Sequence, residues 1–122
     1  MSFAIIATIS SIAGAALGIG WIFGGKLLFS RWGIDSHSGG LLLGRRLGAV
    51  YLGIAIMLYL GRLSPASELR SALCIGMIFA LATLAILGLI EFKRGQANAI
   101  ILVSSAFEVL LVAGFMSVLL VA

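Results

Sequence analysis

The chain has 122 residues, of which 62% are hydrophobic and 10% are charged. Soluble domains carry about 25% charged residues, so this composition excludes an ordinary soluble domain and indicates a protein whose outer surface contacts lipid. The net charge of +4 is too small to indicate a nucleic-acid partner, and the single cysteine, Cys74, excludes an intramolecular disulfide.

The first apolar run covers residues 2–25 and contains no charged residue. About 20 apolar residues cross a membrane, so we predict a spanning helix here. The run is too long for a signal peptide, and no basic segment precedes it. Gly14 and Gly18 lie four residues apart, a spacing that lets another helix approach closely. That helix belongs either to the same chain or to a second copy.

Residues 33–40 form a polar, glycine-rich segment that we predict to be a loop. Asp35 and His37 lie in it, but two candidate ligands in a flexible loop do not define a metal site. We therefore predict a solvated connection and no bound metal.

The second predicted span covers residues 41–61, and glycines recur along it at every fourth position. These residues are Gly40, Gly44 and Gly48, and they predict an edge for close helix packing. Arg45 and Arg46 interrupt the span one turn in. Either both side chains extend to the lipid headgroups, or one of them turns inward toward Glu108.

The third predicted span covers residues 71–90. Before it, Ser64 and Pro65 predict a helix start, with Ser64 as the N-cap and Pro65 at the first helical position. Glu68 then lies in the first turn, where its negative charge interacts favourably with the helix dipole. Cys74 has no neighbouring base, so we predict a packing role for it.

The fourth predicted span covers residues 97–120, with Glu108 near its middle. At 100° per residue, Asn98, Ser104, Ser105 and Glu108 fall within about 120° of each other on a helical wheel. Ionisable groups inside a membrane usually face the interior of the bundle. We predict that this polar stripe faces inward and binds a ligand or an ion.

The second and fourth spans begin at the same membrane face, which places Glu108 about 10–12 Å deeper than the two arginines at 1.5 Å per residue. An extended arginine side chain, or one bridging water, closes such a gap. The sequence leaves open whether Glu108 is ionised and paired with Arg45 or Arg46, or unpaired and neutral.

Together the four runs predict an all-α fold, a four-helix transmembrane bundle in one integral membrane domain over residues 1–122. Most basic residues lie beside the first and third connections, at Lys26, Arg31, Arg45, Arg46, Lys93 and Arg94. The positive-inside rule places that side in the cytoplasm and both termini outside it. We expect a bacterial inner-membrane location, with membrane lipids as partners.

The run Arg46-Leu47-Gly48-Ala49-Val50-Tyr51-Leu52-Gly53 is followed by a second arginine-containing connection and by Glu108 in the last span. This pattern, within residues 45–115, resembles the small four-helix membrane proteins related to DoxX. The resemblance implies a fold and topology more than an activity. DoxX itself and some of its relatives are linked to membrane redox or assembly complexes, so the resemblance keeps an accessory role open.

Three kinds of function remain in view from the sequence. The first is the binding of a lipid-like or other apolar ligand, or an accessory or assembly role in a membrane complex. The alternative is a small transporter coupled to protons or cations through Glu108. An enzyme is the weakest of the three, because no histidine lies near a carboxylate in a span. We predict no catalytic residue and no cofactor, and the glycine edges leave a homo-oligomer open.

Overall fold

The structure, a computed structural model, describes residues 2–121. It contains four helices over that range: α1 (Phe3–Arg31), α2 (Ser38–Leu60), α3 (Glu68–Lys93) and α4 (Ile101–Val121). Each helix is long and apolar enough to cross a membrane, which confirms the predicted all-α four-helix transmembrane bundle. The predicted domain included residues 1 and 122, which lie outside the described residues.

Polar side chains define where three of the helices begin. Ser2 Oγ accepts a hydrogen bond from Ile5 N (3.3 Å) at the start of α1. His37 Nδ1 accepts one from Gly40 N (3.0 Å) at the start of α2, so the imidazole of the first connection is a helix cap.

The start of α3 differs from the sequence prediction, which was wrong about its cap. Ser67 is the N-cap, and its Oγ accepts a hydrogen bond from Arg70 N (3.1 Å). Pro65 lies in the connection before the helix, and the Ser64 carbonyl accepts a hydrogen bond from Arg70 Nη1 (3.0 Å). Glu68 lies in the first turn as expected.

The bundle consists of two helical hairpins. Helix α1 packs along α2, and α3 packs along α4, whereas the two hairpins meet through a smaller contact between α1 and α4. Space therefore remains between the hairpins, and the side chains that line this space come from all four helices.

Glycines bring α1 and α2 into backbone contact. A Cβ added at Gly18 would lie 2.8 Å from the Gly48 carbonyl oxygen, and a Cβ added at Gly44 would lie 2.6 Å from the Trp21 ring. A Cβ at Gly14 would lie 3.5 Å from Ala55, and Gly40 lies against the ring of Phe29. The glycine positions from which the sequence analysis considered a homo-oligomer thus pack against residues of the same chain.

Helices α3 and α4 meet closely at Gly88. The Ser105 side chain of α4 occupies the position that a Cβ on Gly88 would take. Ser105 Oγ donates a hydrogen bond to the Ala85 carbonyl of α3 (3.2 Å) in a buried environment. The missing side chain of Gly88 thus makes room for a polar bond between the two helices.

Apolar side chains fill the bundle at the end where α1 begins. The core cluster there comprises Phe3, Ile6, Ala7, Leu58, Cys74, Leu81, Leu111, Phe115 and Val118. Cys74 is fully buried within it, in a packing position. Many large apolar side chains on the outer surface are exposed, and these contact lipid in a membrane.

Candidate ligand cavity

Glu108 lies on the side of α4 that faces the opposite hairpin. Its side chain is half-buried and lines two adjacent cavities of about 230 Å³ and 90 Å³. Leu17, Tyr51, Leu84 and Glu108 line both cavities, with one residue from each helix. These four residues form the layer at which the two cavities meet.

The larger cavity, which we call the acidic cavity, is lined by Trp21, Trp32, Tyr51, Glu91 and Glu108 together with apolar side chains. It extends from the shared layer toward the end where α1 and α3 finish and α4 begins. We call that end the basic end, since Arg31, Arg45, Arg46, Lys93 and Arg94 lie there. Glu91 lies two residues before the end of α3, at the side of the cavity that faces the basic end, which we call its mouth, whereas Glu108 belongs to the shared layer.

Edge-on ring packing holds the aromatic wall of the acidic cavity. The Trp21 ring lies 5.9 Å from that of Trp32, with 62° between the ring planes. It also lies 5.2 Å from the Phe29 ring, at 75°. Such edge-to-face pairs are favourable because the positive edge of one ring meets the negative face of another.

Asn98 fixes the end of α1 against the start of α4. Asn98 N donates a hydrogen bond to the Trp32 carbonyl (2.8 Å), and Asn98 Nδ2 donates one to the Arg31 carbonyl (2.9 Å). Its Oδ1 accepts a hydrogen bond from Ile100 N (3.1 Å). These bonds hold Trp32 at the mouth of the acidic cavity.

The predicted polar stripe is thus only partly present as a stripe facing the cavity. Ser104, Ser105 and Glu108 all line the acidic cavity, and the hydroxyl of Ser105 is already bonded to α3. Asn98 differs from the prediction: it precedes α4, is exposed, and uses its amide for backbone bonds. The helical wheel assumed a helix through residue 98, whereas α4 begins at Ile101.

The two arginines of α2 do not approach Glu108. Arg45 and Arg46 are both exposed, and neither lines either of the cavities that Glu108 lines. Arg45 instead lines a separate groove beside Lys26, near Gly24, where α1 departs from helical geometry. The inward Arg–Glu108 pair that the sequence left open is not formed in this structure.

The smaller cavity extends from the shared layer toward the opposite end and has mainly apolar walls. Ser10 of α1 is its most unusual lining residue. Its side chain is 4% exposed, and its Oγ has no hydrogen-bond partner within residues 2–121. The neighbouring Ser11 Oγ donates to the Thr8 carbonyl (2.8 Å), so the two serines differ in how their hydroxyls are satisfied.

Sequence reasoning did not select Tyr51, Trp21 or Trp32 as site residues. One signal for Tyr51 was available in the spacing of α2. Gly44, Gly48, Tyr51, Ala55 and Leu58 are separated by alternating steps of four and three residues, which places them on one helix face. Four of these residues are buried and Tyr51 is half-buried, so that face packs inward.

The fold and the site together define a small four-helix membrane protein with a carboxyl group and aromatic rings in a cavity between its two hairpins. Comparisons of the chain with protein-family models, with curated proteins and with solved structures gave no match. The resemblance to DoxX-related proteins therefore stays a prediction. The described residues contain no group of three or more His, Cys, Asp or Glu side chains placed to hold a metal ion.

Proposed function

We propose that the protein binds a small, largely apolar ligand in the acidic cavity, with Glu108 contacting the ligand's polar group. The observation that carries this proposal is the position of Glu108 in a cavity lined by all four helices. Ligand sites typically combine apolar and aromatic walls with a few polar groups that fix orientation. The acidic cavity has this composition.

The cavity volume limits the size of the ligand. A volume of about 230 Å³ is below the range of about 300–1,000 Å³ that drug-sized ligands occupy. The occupant is therefore a small molecule, or one end of a longer lipid-like molecule whose remainder extends toward the membrane.

The tryptophans provide a direct test, since the chain has two and both line the cavity. In the purified protein in lipid nanodiscs, 4-bromophenol should quench tryptophan emission in a saturable manner. Glu108→Leu should weaken this binding, and Glu68→Leu, at an exposed carboxylate in the first turn of α3, should leave it unchanged. Non-saturable quenching that is equal in all three proteins would show that the cavity is not a binding site.

Coupled transport of protons or cations is the second candidate. It is supported by the position of Glu108 between two cavities that extend toward opposite ends of the bundle. A carboxyl group at such a position suits alternate exposure to the two sides of a membrane. In proteoliposomes, a pH-dependent flux that is lost in Glu108→Gln supports transport, and the absence of any such flux in the unaltered protein contradicts it.

We further propose a bacterial inner-membrane location with the basic end in the cytoplasm. The support is the uneven distribution of basic residues, since Arg62 and Arg70 are the basic residues at the opposite end. Lys and Arg are enriched in the short cytoplasmic loops of membrane proteins. An accessory role in a larger membrane complex is compatible with this placement, and native mass spectrometry of the gently solubilised protein would detect such a partner.

A further inference from the structure

The charged groups that line the acidic cavity are all negative. Glu91 and Glu108 contribute the two carboxyl groups, and neither a lysine nor an arginine is among the lining residues. The chain as a whole carries a net charge of +4. The cavity therefore presents only acidic groups, although the surface at the basic end is rich in basic side chains.

Aromatic rings surround the same space. Both tryptophans and Tyr51 line the acidic cavity, and the edge-on contact between Trp21 and Trp32 keeps the two indoles side by side. A cation above an aromatic ring is attracted by the ring's negative face, by about 0.5–2 kcal/mol depending on desolvation. Substituted ammonium groups are recognised in this way by aromatic pockets.

We propose that the ligand of the acidic cavity is an organic cation, a substituted ammonium group attached to an apolar body. This inference rests on the proposed ligand-binding function and specifies the class of ligand. The charged group contacts the aromatic rings and the carboxyl group of Glu108, whose ionised form a bound cation stabilises. The apolar body fills the space beside Leu17 and Leu84. Glu91 lies near the mouth, where its charge attracts a cation entering from the basic end.

A bare metal ion suits this cavity less well than an organic cation. Calcium requires six to eight oxygen ligands, and magnesium requires near-octahedral coordination. The cavity offers two carboxyl groups from different helices among mainly apolar side chains. An organic cation needs no full oxygen shell, because its alkyl groups are already compatible with apolar walls.

A pair of isosteric probes tests the charge of the ligand directly. Phenyltrimethylammonium and tert-butylbenzene have the same shape and differ in the charged nitrogen that replaces one carbon. Both are titrated by tryptophan emission against the protein in nanodiscs of zwitterionic phosphatidylcholine, so that surface charge does not concentrate the cation. We expect the cation to bind at least about tenfold more tightly, as its charge and ring contacts require.

Variants then identify which side chain causes the preference for the cation. Glu108→Gln keeps the shape of the side chain and removes its capacity to carry a negative charge, so it should abolish the preference for the cation and leave the affinity for tert-butylbenzene unchanged. Glu91→Gln, at the mouth, should lower the affinity for the cation by a few-fold. Glu68→Gln, outside the cavity, should change neither affinity. Circular dichroism of each variant verifies that the helices are intact.

The outcomes separate this inference from the proposed function. Equal affinity for the two probes in the unaltered protein would refute the cation preference and leave ligand binding in place. Saturable binding of neither probe, together with no binding of 4-bromophenol, would refute ligand binding itself. The comparison of the two probes uses the unaltered chain, so it remains decisive if Glu108→Gln fails to fold.

Discussion

Gly18 of α1 and Gly48 of α2 are in direct backbone contact, because a Cβ added at Gly48 would lie 2.6 Å from the Gly18 carbonyl oxygen. A side chain at either position would have no space unless the two helices separated. Tyr51 lies one turn after Gly48 on the same face of α2. The glycine contact therefore sets the distance at which α2 presents Tyr51 to the acidic cavity.

Gly48→Ala is expected to destabilise the protein by about 1–3 kcal/mol, the usual cost of overpacking. The matched control is Gly53→Ala in the same helix, where an added Cβ meets no atom within 4 Å. Alanine favours a helix over glycine by up to about 1 kcal/mol, so this control should be neutral or slightly stabilising. Thermal unfolding in detergent, followed by circular dichroism, gives both values, and equal effects would contradict the close contact.

Ser10→Ala is expected to raise the stability, because it removes a buried hydroxyl that has no hydrogen-bond partner within residues 2–121. An unsatisfied buried polar group costs about 1–3 kcal/mol. Ser11→Ala is the matched control, since the Ser11 hydroxyl is bonded to the Thr8 carbonyl and its loss should bring no gain. A loss of stability in Ser10→Ala would show that the hydroxyl has a partner, such as a water in the smaller cavity.

Gly88 and Ser105 should behave as one energetic unit. An alanine at Gly88 would displace the Ser105 hydroxyl and break its bond to the Ala85 carbonyl. Ser105→Ala breaks the same bond, and hydrogen bonds between membrane helices contribute about 0.6 kcal/mol on average. We expect the double variant to cost about as much as either single variant in a thermal unfolding experiment. Additive effects would mean that Gly88 does not act through Ser105.

The parts of the structure that sequence could predict are those set by hydropathy. Four apolar runs predict four helices, and the isolated carboxyl of Glu108 predicts an inward-facing position on α4. Helix ends were harder, because Ser64 and Ser67 are both acceptable caps and the choice depends on where the connection folds back onto Arg70. The start of α4 was misjudged for the same reason, since Asn98 bonds to the end of α1, far away in sequence.

The cavity itself could not be read from the chain, because it depends on how the two hairpins sit against each other. Tyr51 and Trp21 appeared in the sequence as ordinary apolar and aromatic positions. They become site residues only when α1–α2 packs against α3–α4 and leaves space in which Glu108 lies. The glycine spacing of α2 predicts that this face packs against another helix. It does not predict which helices lie opposite Tyr51, the next residue on the same face.

Arg46 and Glu108 are expected to contribute independently to stability, because Arg46 is exposed and does not line the cavities around Glu108. Distant sites without shared partners usually add within about 0.3–0.5 kcal/mol. A double-mutant cycle with Arg46→Gln and Glu108→Gln, measured by thermal unfolding, tests this directly. A larger interaction energy would support the alternative that Arg46 turns inward and pairs with Glu108.

The proposed topology is testable by cysteine labelling, with Cys74→Ala as the background. Ser36 lies in the connection between α1 and α2, at the basic end, and Ala66 lies in the connection between α2 and α3; both side chains are exposed. In intact bacterial cells, a membrane-impermeant maleimide should modify Ala66→Cys and leave Ser36→Cys unmodified until the membrane is permeabilised. The reverse pattern would place the basic end outside the cytoplasm, and a cation entering past Glu91 would then come from the opposite side of the membrane.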